Sequence, residues 1–379
     1  YTEGIHAGDQ IIMVDSVKTK GMTINDASSL IKGELGSVVN LTIFRPSKRK
    51  KLTFELTRAN ITVKHVPYWG VDDDGIGYIR ITKFSKNTAK DFFQALIDLK
   101  DQGMKGLVLD LRSNSGGLLS NSINILDKLT DRGVNLLNTR GRIEKSNKKM
   151  NSRRVPAISS EIPLAVLINQ SSASASEIVA GVIQDLDRGI IVGTRSFGKG
   201  LVQSMYNLND TTTLKVTTAK YYIPSGRLIQ KEDYLNNGFL TDGLDKKDSI
   251  FTTRGGRKVK GGGGITPDVE IKQRKLPYYV QGLWKAGVFL TFSAEYIPQH
   301  DITIPVIISD KIYADFEIFL KDYKIDYTLA GENDLRKLKD SLKSQKDYKQ
   351  DSKPSLISRL IFWKKSKNRL SVIFSKRFL

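Results

Sequence analysis

Between residues 75 and 271, short apolar runs of strand length alternate with longer stretches of helical period, and this alternation restricts the fold more than any other feature. Residues 77–81 read as a strand, 88–100 as an amphipathic helix, and 106–111 (GLVLDL) as a strand apolar at most positions, the mark of a strand covered on both faces. A helix over 118–129, a strand over 163–168, a helix over 177–185 and a strand over 190–192 continue the series. Strands that return to one sheet across a helix run parallel, so the expectation is an α/β core with a largely parallel sheet. Residues 214–222 and 269–271 add strands, whereas the polar, basic stretch 139–154 reads as an exposed insertion.

The flanks follow other patterns. Residues 1–58 read as a small module: a strand at 10–14, a helix-like stretch at 23–31, alternating apolar positions at 38–44, a basic turn at 46–51 and a last strand at 52–56. Residues 276–345 carry aromatic-rich helical patterns, with Phe316, Phe319, Leu320 and Tyr323 on one stripe, and 346–379 form a basic tail. With 379 residues, the chain divides into segments 1–58, 59–275, 276–345 and 346–379.

Chemistry is narrowed by what is missing. There is no cysteine, which removes disulfides, thiolate metal sites and a cysteine nucleophile. The three histidines, His6, His65 and His300, sit beside no ligand or nucleophile cluster, which argues against a histidine zinc site and against a Ser-His-Asp triad. A formal charge of +20 suits nucleic acid or an anionic surface, yet no nucleic-acid-binding motif accompanies it. It reads as a solvated basic surface, with no nucleic-acid partner expected. No apolar run is long enough to span a membrane, and the first residues lack a signal-peptide pattern.

Two segments hold candidate chemistry. INQSSASASEIVAGVIQD places small hydroxyl residues between a strand and a helix, where backbone amides point outward and suit an oxyanion. Ser174 to Glu177 also fits a capping box, which accounts for the local pattern by itself at about 1 kcal/mol. VGTRSFGKGLVQ sets Lys199 between two glycines with Phe197 and Leu201 nearby; cover from these would desolvate the ammonium, lower its pKa and free its lone pair to act as a base. Gly193 to Lys199 imitates a phosphate loop, but Gly200 stands where Mg²⁺ needs a hydroxyl and LVQSMYNL continues as a strand.

The order GYIRITKF, LVLDLRSNSGG, NQSSASASEIVAGVIQD, VGTRSFGKGLVQ, LKVTTAKYYIPSGRLIQ, GGGGITPDVEI resembles the carboxyl-terminal processing, or tail-specific, serine proteases. Residues 4–45 resemble the second half of a PDZ domain, with the carboxylate-binding loop upstream of Tyr1, so the chain is expected to begin inside a domain. The resemblance implies a crotonase-like α/β peptidase core, an N-terminally incomplete PDZ domain and a C-terminal helical extension. It implies Ser174 as nucleophile, Lys199 as general base, Gln203 as the residue orienting the amine, and Asp185 as a further member sometimes counted with the charge relay. Ala175 and either Gly116 or Gly117 are the implied oxyanion donors. Ser115 stands where proline is frequent in the family, which predicts a looser loop.

An acyl-enzyme route follows, with no metal or organic cofactor. Implied partners are protein substrates with unstructured C-terminal tails, in the periplasm or cell envelope. A catalytically idle PDZ-bearing scaffold is the competing expectation. The tail residues Lys364, Lys365, Lys367, Arg369, Lys376 and Arg377 add a weak contact with anionic membrane.

Overall fold

A computed structural model describes residues 4–61, 63–231, 249–271, 276–300, 302 and 308–322. The chain divides into two compact units, one formed by Ile61–Arg274 and the other by Tyr1–Asn60 with Lys275–Leu379.

The N-terminal module holds β1 (Gln10–Val14), β2 (Val17–Lys18), α1 (Ile24–Ile31), β3 (Val38–Arg45) and β4 (Lys50–Thr57), with an antiparallel sheet ordered β2-β1-β3-β4. Alternation along β3 turns Val39 and Leu41 inward beside Val14, the small core of this module. Arg45 and Asp9 form an ion pair at 2.7 Å, nearly shielded from water. Arg58 donates to the carbonyls of Ile31 (2.7 Å) and Val38 (2.8 Å), tying the end of α1 to β3.

In the other unit lie β5 (Tyr68–Val71), β6 (Ile76–Arg80), α2 (Thr88–Asp101), β7 (Gly106–Asp110), α3 (Leu119–Leu129), β8 (Asn135–Arg140), β9 (Lys148–Asn151), β10 (Leu164–Ile168), α4 (Ala175–Asp185), β11 (Ile190–Gly193), β12 (Leu201–Asn207), β13 (Thr213–Tyr222), β14 (Ile250–Thr252), β15 (Lys258–Lys260) and β16 (Val269–Glu270). Its main sheet runs β16-β11-β10-β7-β6-β5, parallel throughout except for β5 against β6. The mixed α/β class follows from this sheet and its helices. α2 buries Phe92, Ala95, Leu96 and Leu99, the i, i+3, i+4, i+7 positions of one face. Removing a ring such as Phe92 would cost about 3–5 kcal/mol.

The stretch 139–154 is exposed at most positions, as expected, but it is strand-bearing rather than an irregular insertion. Its ends are β8 and β9, which join an antiparallel sheet ordered β12-β13-β8-β9. Within it Thr139 and Ser152 are buried, while the lysines of β9 are exposed and give the segment its loop-like composition.

Within the unit that holds the N-terminal module, α5 (Tyr278–Lys285), α6 (Val288–Tyr296) and α7 (Asp310–Asp322) gather around Leu283, Val288 and Phe316. Phe316 meets Phe292 edge-on at 5.0 Å. Tyr323, the rest of 323–345 and the basic tail lie outside the described residues.

Candidate active site

Three loops leave the C-terminal ends of the adjacent parallel strands β7, β10 and β11, the edge at which parallel α/β sheets gather their reacting groups. They carry residues 111–117, 169–174 and 194–200. The sheet therefore brings together segments separated by more than eighty positions.

Ser174 is the N-cap of α4, a helix buried at every residue, and is itself half-buried. Its backbone adopts φ 54° and ψ −112°, a region that L-residues rarely occupy and that stores about 1–3 kcal/mol of strain. The arrangement persists because neighbours hold it. Ala173 N–H donates to the Asn114 carbonyl at 3.0 Å, and Ser176 Oγ donates to the same oxygen at 2.8 Å.

Glu177, one turn into α4, is fully buried and is the hub of the site. Its Oε2 accepts from Ser174 N–H and from Lys199 N–H, both at 2.8 Å. Its Oε1 accepts from Ser196 Oγ at 2.5 Å and from Gly198 N–H at 2.6 Å. Burial pushes the Glu177 carboxyl up to about 7, against the downward pull of these four donors. The Tyr221 hydroxyl, also buried, donates to the carbonyls of Ser174 (3.3 Å) and Lys199. Carboxylate and phenol thus bind the main chain of both segments.

Lys199 is half-buried, and its Nζ donates to Gln203 Oε1 at 3.4 Å, a long bond. No hydrogen bond joins Lys199 Nζ to Ser174 among the described residues. The expected cover differs in one respect: Leu201 is buried, but Phe197 is 52% exposed. Phe197 N–H is tied to the Ser172 carbonyl at 3.0 Å and Gly198 turns the chain at φ 92°, which leaves the ring in solvent. The phosphate-loop imitation ends in β12, so no helix N-terminus follows the lysine.

The glycine loop presses on the Ser174 segment. A Cβ on Gly116, at φ 99°, would lie 2.7 Å from the Ala173 carbonyl oxygen and 3.0 Å from Ala175 N. Gly116 N–H is engaged by Asn114 Oδ1 at 2.9 Å, whereas neither Gly117 N–H nor Ala175 N–H donates a hydrogen bond among the described residues. Asn114 is fully buried and also donates to the Ile81 carbonyl at 2.9 Å. Asp110 accepts from Arg112 Nε (2.9 Å) and Nη2 (2.7 Å) and from the Tyr78 hydroxyl (2.6 Å). These bonds anchor a loop that lacks the stiffening proline.

Asp185 is not brought to this cluster. It ends α4, ten residues beyond Ala175 and therefore about 15 Å along the axis. There it forms a fully buried ion pair with Arg227 at 2.7 Å and accepts from Ser225 N–H at 2.9 Å. A cavity of about 340 Å³, lined by Asn135, Asp185, Ser225 and Arg254 among others, opens at this far end.

Sequence reasoning counted Glu177 only as a cap partner and passed over Asn114 and Tyr221. The S-x-x-E pattern was the available signal for Glu177; nothing local marks the other two.

Comparison with known proteins places peptidase family S41 over residues 75–238, and the C-terminal helical domain of a probable PDZ-protease over 279–360. A carboxy-terminal-processing protease of Bartonella bacilliformis is 41% identical over 231 residues, covering 60% of this chain and 52% of that protein. A chloroplastic C-terminal processing peptidase of Tetradesmus obliquus is 37% identical over 243 residues, covering 60% and 51%. A carboxy-terminal processing protease of Bacillus subtilis is 35% identical over 229 residues, covering 60% and 48%. The chain spans about half the length of these relatives.

Proposed function

We propose that this chain, whose residues 75–238 match peptidase family S41, is a serine endopeptidase that cleaves proteins near their C-terminus through an acyl-enzyme. Ser174 Oγ attacks the scissile carbonyl, and Lys199 takes the hydroxyl proton and passes it to the leaving amine; water then releases the acyl group by the same route. Gln203 orients the amine. Ala175 N–H and Gly117 N–H stabilise the tetrahedral oxyanion, the Gly116 amide being already engaged. Asp185 acts through the Arg227 pair, in support of the fold.

The observation that supports this reading is the Glu177 carboxylate, whose Oε2 receives the main-chain N–H of both Ser174 and Lys199 at 2.8 Å. It holds the hydroxyl-bearing and amine-bearing segments to one rigid point, and effective catalysis requires that kind of fixed geometry. The same reading takes the core as crotonase-like, residues 1–58 as part of a PDZ domain, the substrates as proteins with unstructured tails, and the site of action as the periplasm or envelope. Among the described residues no helix is long and apolar enough to cross a membrane.

The test is cleavage of a protein with an unstructured C-terminal tail by the parent chain, Ser174→Ala and Lys199→Ala, with product masses locating the cut. Cleavage by the parent alone is expected, with turnover by either variant reduced at least about a thousandfold. Equal cleavage by parent and Lys199→Ala would sink the dyad, and no cleavage by the folded parent would favour the scaffold reading.

A further inference from the structure

We propose that the outer edge of β12 is the docking edge for substrate: an extended, acidic polypeptide tail adds to β12 as a further strand, and its carboxylates meet the basic face of the same sheet. The inference rests on the peptidase reading and names where and how its substrate binds. β12 is the last strand of its sheet, with β13 on one side and no strand on the other among the described residues. It begins two residues after Lys199 and carries Gln203, the partner of the lysine amine. A strand laid along it would run directly to the reacting groups.

Hydrogen-bond parity gives the direction of each main-chain group. Tyr221 N–H donates to the Gly200 carbonyl and Leu208 N–H to the Thr212 carbonyl. With Val202 opposite Ala219, Ser204 opposite Val216 and Tyr206 opposite Leu214, the even-numbered residues of β12 face β13. The extra residue in the register, Thr218, lies on β13, so the alternation along β12 is unbroken. Leu201, Gln203, Met205 and Asn207 therefore turn their N–H and C=O groups to the free edge. Gln203 and Asn207 are exposed and Met205 is 70% exposed, so the row is open to a partner strand.

Charge argues for the chemistry of the occupant. On the face shared by Gln203 and Met205 the ladder places Lys215, Lys220, Arg140 and Lys149. β8, β9, β12 and β13 contain no aspartate or glutamate. Lys220 and Arg140 are directly opposite one another, and Arg140 lies over the Tyr222 ring at 4.9 Å. Lys215, opposite the exposed Met205 on the strand next to the edge, is the cation best placed to meet carboxylates on a docked strand.

The test measures binding of a labelled, unstructured peptide rich in Asp and Glu to the full chain carrying Ser174→Ala. Met205→Pro removes an outward N–H and no ladder bond, so the fold is retained; binding is expected to weaken about tenfold, while Met205→Ala stays within about twofold. Lys215→Glu should weaken the acidic peptide about fivefold and leave its Asn/Gln counterpart unchanged. N-methylation of the peptide, one residue at a time, alters no protein residue and should produce losses that repeat every second position. Parental affinity in Met205→Pro, losses without that period, or no peptide bound would each overturn the docking edge. Binding by the Ser174→Ala chain without cleavage by the parent would instead sink the peptidase reading and leave the edge standing.

Discussion

The N-termini of α1 and α4 carry the same four-residue capping device in two different settings. At α1, Thr23 sits at φ −74° and ψ 162°, its Oγ1 accepts Asp26 N–H at 3.2 Å, and Asp26 accepts Thr23 N–H at 3.0 Å. Everything happens within one exposed turn. At α4, Ser174 sits at φ 54°, and of the four bonds to the Glu177 carboxylate one is the cap while three come from Ser196, Gly198 and Lys199. A cap that is buried and shared with a distant segment becomes a tertiary clamp, and the strain it holds at Ser174 aims a side chain.

The largest effect should come from cutting the clamp. Glu177→Gln replaces one carboxylate oxygen with an amide NH₂ that must face two donors whichever way it turns, at a cost of about 3 kcal/mol in urea unfolding. Cleavage should be lost even at temperatures where the variant is folded. Parental turnover in folded Glu177→Gln would break the comparison, because α4 would then have only a cap. Ser174→Gly should separate strain from chemistry. Glycine accepts φ 54° freely, so stability is expected to rise by about 1 kcal/mol while cleavage disappears. A loss of stability would mean that the serine backbone is not strained.

How much of this was legible depends on the range over which each signal acts. The parallel strands β7, β10 and β11 were read from apolar runs, since burial on both faces writes itself into consecutive residues. β8 and β9 were not, because their Asn, Thr and Lys positions mask the inward Leu136 and Leu137. Ser174 and Lys199 were singled out by the order of several motifs. Their joint anchoring on Glu177 and Tyr221 depends on contacts between residues 22 to 47 positions apart, to which periodicity is blind. The exposure of Phe197 was missed for a related reason, since the turn at Gly198, not the neighbouring composition, decides where that ring points.

The two boxes should also respond to pH with opposite sign. Glu177 binds its proton more tightly in the folded chain, at about 7 against 4.5, so its contribution is full at low pH and is lost as pH rises through that window. Unfolding free energy measured from about pH 4.5 to about pH 7 should fall in the parent and flatten in Glu177→Gln. The hydrogen bond from Thr23 holds the Asp26 carboxyl below its usual range, so its contribution is present above that range and is lost as pH falls through it. A slope of the same sign for both carboxylates would mean that burial does not distinguish them.

The smallest effect belongs to Thr23→Ala. It removes the exposed cap acceptor and the hydroxyl's own bond to Asp26 Oδ2 (2.7 Å), which costs about 1 kcal/mol in denaturant unfolding of its own unit. Because both bonds of that box close within residues 23–26, no consequence passes to Ser174 or Lys199, and Asp26→Asn should be milder still. Cleavage at the parental rate by folded Thr23→Ala, set beside its loss in folded Glu177→Gln, would show that the capping motif is inert by itself and acquires its role from the three donors that only α4 receives.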